Sequence, residues 1–287
     1  MNLKDLILDT RLQFNPERHE YILDNVLKMA SLTKTISRIK QPFDSKEMSY
    51  NVARSKLGWK SATEENIKIE QEKVLKKWKD KSEFAASWGT MIHNALKDYF
   101  TKGYFNIEDN EISSKIQRLC KRLSLDMQES MYYFSGNEIM IYSEKYGIAG
   151  TVDRICQRQR IDTSLIDIFD YKTNITNISF DSIKKMEDNN TAKPYKHYNR
   201  MLLDPLSHLE QCDYIYDALQ LSGYAYMIEE MGMKPGRLSI IQIDEIDMNP
   251  TIYPVPYMKM EIELLFKAFS NRELSSVNET NAHIVEW

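Results

Sequence analysis

Apolar positions along the 287-residue chain recur at two different periods, and the places where one gives way to the other mark out the elements. Phe84, Trp88, Ile92, Leu96 and Tyr99 follow at spacings of four, four, four and three, one face of a helix. Upstream, helical patterns run from about 31 to 40, 44 to 57 and 62 to 81, with Ser31 and Thr33 as N-caps of the first. Before them, FNPERHEYIL (residues 14–23) predicts two short strands around a Pro-containing turn. A long helix is expected from about Glu111 to Phe134. Three runs of β character come next, Glu138 to Glu144, Ile148 to Arg158 and Ser164 to Lys172. The gaps between them, Lys145 to Gly147 and about Gln159 to Thr163, are tight enough to predict an antiparallel meander.

Residues 173 to 206 are polar and irregular, broken by Asn189, Asn190 and Pro194, and read as a loop or lid over a site. A helix from about Leu209 to Met231, a strand from Arg237 to Asp244 after a Lys-Pro-Gly turn, and a helix from Tyr257 to Phe269 complete the pattern. Helix, meander, helix, strand, helix is the order of an α/β core, one sheet with helices packed on it. The expected organisation is an N-terminal elaboration at 1–84, a short hairpin plus helices packed on the core, followed by the core at 85–287. There is no internal repeat, and only 9 glycines and 8 prolines punctuate the chain.

Composition narrows the class. Apolar residues make up 42% and charged residues 28%, the balance of a globular protein, and no stretch reaches the ~18 apolar residues of a membrane span. The start, MNLKDLILDTRLQF, has too short an apolar run for a signal peptide. Cys120, Cys156 and Cys212 are far apart and form no CxxC pair, which excludes a disulfide framework, a zinc knuckle and a four-cysteine iron-sulfur cluster. The sequence therefore predicts a cytoplasmic protein, with no membrane partner. A net charge of -4 still allows nucleic acid as a partner where positive charge is local. Residues 66–81 hold six lysines against Glu70, Glu72 and Asp80, a run that also suits a solvated helix face. The 17 tyrosines offer stacking surfaces for single strands but serve equally as core packing.

The chemistry concentrates in two segments, Gly150-Thr151-Val152-Asp153 and Asp170-Tyr171-Lys172. Residues i and i+2 of a strand share a face, so Asp170 and Lys172 are expected to project together, beside Asp153 on the neighbouring strand. Converging carboxylates repel unless a cation lies between them, and hard oxygen ligands suit Mg²⁺ or Mn²⁺. A lysine next to them can stabilise a developing oxyanion or orient a water. A metal, a water and a lysine are the parts needed to hydrolyse a phosphodiester. No GxSxG, P-loop or GxGxxG occurs, and Ser87 and His93 are too close on one helix for a triad. His19, His197, His208 and His283 have no partner spacing.

These segments resemble the PD-(D/E)XK nuclease superfamily, and within it the RecB-like exonuclease branch of phage and bacterial recombination and repair systems. WGTMIH (88–93) is similar to the branch's GxxxH helix motif, which implies His93 as a metal ligand. Asn137-Glu138 resembles the early acidic station, making Glu138 a candidate to orient the site or hold a second metal. AGTVDRI (149–155) resembles GxxD, implying Asp153 as a ligand, and FDYKTN (169–174) resembles (D/E)XK. There Asp170 and the Tyr171 carbonyl would hold metal, Lys172 would act on the water or phosphate, and Thr173 would support the site. ALQLSGYAY (218–226) is similar to QxxxY; Gln220 and Tyr224 fall one turn apart on a helix, where they would support Lys172 or touch DNA.

The likeness covers about residues 85 to 245 and implies a restriction-endonuclease-like αβββαβ core, a mixed central sheet flanked by helices. It implies a Mg²⁺- or Mn²⁺-dependent DNA exonuclease acting on single- or double-stranded ends in recombination, repair or replication, in a host cytoplasm if phage-encoded. Recombination or replication proteins are the partners it suggests. Loss of Lys172 is expected to lower the rate on the order of 10²-fold or more with little loss of stability. The rivals are a nuclease-fold protein that binds DNA or an assembly without cleavage, and an endonuclease or RNA-cleaving enzyme.

Overall fold

The computed structural model describes residues 3–18, 20–127, 132–158, 165–173, 178, 183–184, 196–197 and 200–270. The chain opens with α1 (Leu3–Ile7) and a meander of β1 (Leu12–Asn15), β2 (Glu20–Leu23) and β3 (Leu27–Ser31). Then come α2 (Leu32–Ser37), α3 (Ser45–Ser61), α4 (Glu64–Lys102) and α5 (Asn110–Asp126). A second meander follows: β4 (Tyr132–Ser143), β5 (Ile148–Arg158) and β6 (Leu165–Lys172). After the two-residue ribbon β7 (Ile183–Lys184) and β8 (Lys196–His197) come α6 (Asp213–Glu230), β9 (Lys234–Ile243), β10 (Pro250–Val255) and α7 (Lys259–Ser270).

The result is a mixed α/β fold built on one eight-stranded sheet, ordered β1-β2-β3-β5-β6-β9-β10 with β4 also paired to β5. β4, β5 and β6 are mutually antiparallel, β9 runs parallel to β6, and β3 runs parallel to β5. Both faces are covered. Ile166 and Ile168 of β6 join a core shared with Leu219 of α6 and Phe266 of α7, whereas Phe169 and Tyr171 join Ile92 and Leu96 of α4 and Leu119 of α5. Strand alternation therefore places Asp170 and Lys172 on the α6 side.

The ladders on β5 leave a gap that matters for the site. One edge is paired along its length to β4; the other carries β3 at Ile148 and Ala149 and β6 from Arg154 to Gln157. Residues 150 to 153, the Gly-Thr-Val-Asp stretch, have no strand on that second edge among the described residues. Alternation also breaks there, because Val152 and Ile155 both reach the core on the α6 side.

Several elements differ from the sequence expectation. The two helices expected around residue 81 form one 39-residue α4, since no Gly or Pro interrupts 64–88; the 84/85 boundary falls inside it. Its first half buries Ile67 and Val74, and its second half buries Ile92, Ala95 and Leu96. The helix expected to reach Phe134 ends at Asp126, and the aromatic residues from Tyr132 onward belong to β4. β3 and β10 carry weak patterns; β10 holds Pro250 and Pro254, tolerated because it is an edge strand. The expected turn at Gln159 to Thr163, most of the 173 to 206 segment, His19 and His283 lie outside the described residues.

Candidate metal centre and its neighbouring lysine

Three side chains from three elements converge beside the gap in β5: His93 of α4, Glu138 of β4 and Asp153 of β5. One ligand atom from each lies within 4.8 Å of the others. His93 Nδ1 is 3.4 Å from Asp153 Oδ1 and 4.0 Å from Glu138 Oε1. Its Nε2 is 3.1 Å from the Tyr171 carbonyl, which can only accept, so Nε2 carries a proton in either charge state and Nδ1 faces the carboxylates. Asp153 Oδ2 accepts the Tyr171 N–H at 2.7 Å, just past the last β5–β6 ladder pair. The side chain replaces the missing ladder contact and is locked in place by it.

Glu138 adopts φ 53°, the left-handed region that a residue with a Cβ rarely enters. Its ladder neighbours Asn137 and Ile139 pair with Arg154 and Val152, so the register puts Glu138 opposite Asp153. Asn137 is held by Arg154 Nη1 at 2.9 Å, and the Arg154 guanidinium lies over the Phe100 ring at 3.8 Å. Backbone strain held by such fixed neighbours is a mark of functional sites. An open cleft of about 390 Å³ lies over the group, lined also by Gly89, Thr90, Asn94 and Lys97. A Cβ on Gly89 would sit 3.0 Å from Thr173 Oγ1, so the glycine lets α4 lie close against the end of β6.

On the other side of β6, the Lys172 ammonium is 2.8 Å from Asp170 Oδ2, 3.1 Å from Asp217 Oδ1 and 3.3 Å from Gln220 Oε1. Gln220 donates through Nε2 to Asp170 Oδ1 and to the Tyr224 hydroxyl, each at 3.1 Å. The Tyr224 ring fills the notch beside Gly150, where a Cβ would come 2.7 Å from the ring edge. That close approach is why the turnless middle of a strand holds a glycine. From the opposite end of the chain, the Tyr21 hydroxyl meets Thr151 Oγ1 at 3.0 Å.

The electrostatics follow from this crowding. Burial by itself lowers the His93 pKa, but the hydrogen bond and charge of Asp153, with Asp170 and Glu138 behind it, raise it to about 9. Burial and the Asp153 charge raise Glu138, against His93 and Lys97. Burial would lower Lys172, yet Asp170 and Asp217 outweigh it and hold the ammonium well above its ordinary value. Burial pushes Asp170 and Asp217 upward, with Lys172 opposing in both. Lys172 is thus a fixed cation and not a proton acceptor at neutral pH.

An imidazole nitrogen and two carboxylates, two of them facing each other as like charges, are a donor set that fits a divalent cation. His93, Glu138 and Asp153 form that set, and the Tyr171 carbonyl borders it through His93. Asp170 is not part of the three-residue group; its oxygens go to Lys172 and Gln220. No family model matches the chain, and no curated protein does. Among solved structures it is similar to a "Putative exonuclease" from Eubacterium rectale, at 14% identity over 66% of each chain and a TM-score of 0.36. At that score the likeness carries no argument.

Asp217 joins this group of side chains and is not among the residues that the sequence singles out. It precedes Gln220 and Tyr224 by three and seven positions, the same helix stripe, and an Asp on that stripe of α6 was the available signal. Among the described residues no helix is long and apolar enough to cross a membrane.

Proposed function

We propose that this protein is a divalent-metal-dependent deoxyribonuclease, an exonuclease that hydrolyses phosphodiester bonds at DNA ends. The observation that carries the reading is the convergence of His93, Glu138 and Asp153 beside Lys172, across one edge of an interrupted strand. The PD-(D/E)XK fold reading rests on the element order α5, β4-β5-β6, α6, β9, with β9 parallel to β6. Residues 85–287 would form that core and 1–84 its elaboration.

Mg²⁺ or Mn²⁺ would supply Lewis acidity at the phosphate and at the attacking water. His93 would present Nδ1 once relieved of its proton, while its Nε2–H stays on the Tyr171 carbonyl. Asp153, fixed by the Tyr171 N–H, and Glu138, aimed by its backbone, would contribute carboxylate oxygens. Asp170 would neutralise and align Lys172, whose permanent charge meets the negative charge that builds on the phosphoryl oxygens. Gln220 and Tyr224 brace that pair, and Thr90, Asn94 and Lys97 on the cleft wall would meet the DNA backbone.

The test is digestion of end-labelled linear DNA, single- and double-stranded, beside a closed circle, in Mg²⁺, Mn²⁺ and EDTA, with Asp153→Asn as control. Metal-dependent loss of linear forms alone, absent in the variant, is the expected result. Cleavage of the circle converts the reading to an endonuclease, and no cleavage in any metal overturns it in favour of a binding or assembly role.

A further inference from the structure

We propose that Asp217 is a positioning residue: its carboxylate holds the Lys172 ammonium between α6 and β6 and thereby fixes where the ammonium meets the reacting phosphate. The inference rests on the nuclease reading above and deepens it. A lysine ammonium has three N–H donors, and Lys172 has three acceptors in reach, at 2.8, 3.1 and 3.3 Å. Two of those acceptors are tied to each other, since Gln220 donates to Asp170 Oδ1 at 3.1 Å and moves with it. Asp217 is the acceptor outside that pair. It lies one turn earlier on α6, its side chain 12% exposed.

Without Asp217, a four-carbon stem carries the ammonium beside one carboxylate, and the stem's torsions let it fold onto Asp170. With Asp217, the ammonium is pulled from two sides and has a single resting place. A buried ion pair is weak evidence of a contribution to stability, so a largely buried carboxylate on α6 facing Lys172 calls for another account. Setting the position of a charge that must meet a transition state supplies one, because misplacement by about 1 Å can lower a rate on the order of 10²-fold.

The experiment measures kcat and KM on the linear DNA form that the wild type digests, for Asp217→Ala and Asp217→Asn. Both are also built in a Lys172→Met background. The ¹⁵N resonances of the lysine ammonium groups are followed in parallel. Asp217→Ala should lower kcat about 10- to 100-fold with KM unchanged. Asp217→Asn, whose amide oxygen still accepts from Nζ, should recover to within about threefold of wild type. In the Lys172→Met background, Asp217→Ala should lower kcat no further. An ammonium signal absent from Lys172→Met should be lost or displaced in Asp217→Ala and retained in Asp217→Asn. If Asp217→Ala does not fold, Asp217→Leu fills the same space without an acceptor and takes its place. The proposal is overturned by wild-type kcat in Asp217→Ala, by an effect on KM instead, by Asn as impaired as Ala, or by an additive loss with Lys172→Met. Should the wild type digest no DNA, the nuclease reading falls alone; the ammonium signal still decides the clamp, and a signal unchanged in Asp217→Ala overturns it.

Discussion

Asp167 and Asp170 stand three residues apart on β6, both buried, on opposite faces of the sheet. Asp167 is saturated: Arg158 reaches it bidentately at 2.9 and 2.7 Å, Arg237 gives it a backbone and a side-chain N–H at 2.8 and 2.9 Å, and the Tyr132 hydroxyl adds a 3.3 Å contact. Two guanidinium groups serve that one carboxylate. Around Asp170 the ratio reverses, with one ammonium shared between two carboxylates and a glutamine completing the shell. Burial therefore disfavours the charged form of Asp170. One strand carries an ion pair arranged to hold the fold and another arranged to remain short of positive charge, and perturbed carboxylates of the second kind gather where charge is put to use.

The same substitution at both positions breaks the comparison most sharply. Asp170→Asn should lower turnover on the order of 10²- to 10³-fold, about 3–4 kcal/mol of barrier, because the charge that aligns Lys172 is gone. Its urea midpoint should hold or rise, since the change removes a carboxylate whose burial is unfavourable. Asp167→Asn should do the opposite. Stability should fall by about 3 kcal/mol, the low end for a broken buried pair, because the Arg158 and Arg237 side chains are 31% and 47% exposed and can hydrate. The fraction that remains folded should turn over at the wild-type rate. Equal loss of stability from both substitutions would mean that the two networks are built alike.

The structure also changes the expectation for Lys172. Its removal leaves Asp170 and Asp217 buried and facing each other, so Lys172→Ala should weaken the fold as well as the reaction. The next smaller effect tests how Tyr224 is seated. Gly150→Ala brings a Cβ within 2.7 Å of the Tyr224 ring and should cost about 1–3 kcal/mol of stability by overpacking. It should also lower the rate, because Tyr224 braces Gln220 and Gln220 braces Asp170. Tyr224→Phe, which keeps the ring and drops the hydroxyl, should leave stability nearly unchanged and separate crowding from the lost hydrogen bond.

Much of this was legible in the chain because it depends on regular periods. The spacing of Phe84 to Tyr99 placed His93 on a helix, and the i,i+2 rule placed Asp170 and Lys172 together, 2.8 Å apart. The reading stops where regularity stops. The charge of Asp153 acts on Asp170 and Lys172, but alternation breaks between Val152 and Ile155, and no period announces that its side chain reaches His93 and the Tyr171 N–H. Glu138 owes its aim to a left-handed backbone that no periodicity announces. The pairing of β3 with the first two residues of β5, which creates the gap, joins positions over a hundred residues apart. Asp217 was hidden because an acid within a helix shows its face only when the opposing strand is known.

The smallest expected effect concerns His93 and distinguishes its role from that of Lys172, a second cation of the site. In the metal-free protein His93 is raised to about 9, above the ordinary 6.5, so the folded state favours its protonated form. That stabilisation is complete below about pH 6.5 and is lost as pH rises through 9. His93 is partly exposed, so the contribution should be discounted to on the order of 1 kcal/mol, a shift of about 2–4 °C in Tm. Melts in EDTA between pH 6 and 10 should therefore show a decline that is absent in His93→Gln, after subtraction of the background both share. Added Mn²⁺ should reverse the sign. A ligating imidazole must give up its proton, so Mn²⁺ should stabilise the protein more at pH 9 than at pH 6.5, with about one proton released per ion bound. Lys172, held as a fixed cation by two carboxylates, should contribute to neither slope over this range. An EDTA decline that persists in His93→Gln would move the titrating group elsewhere.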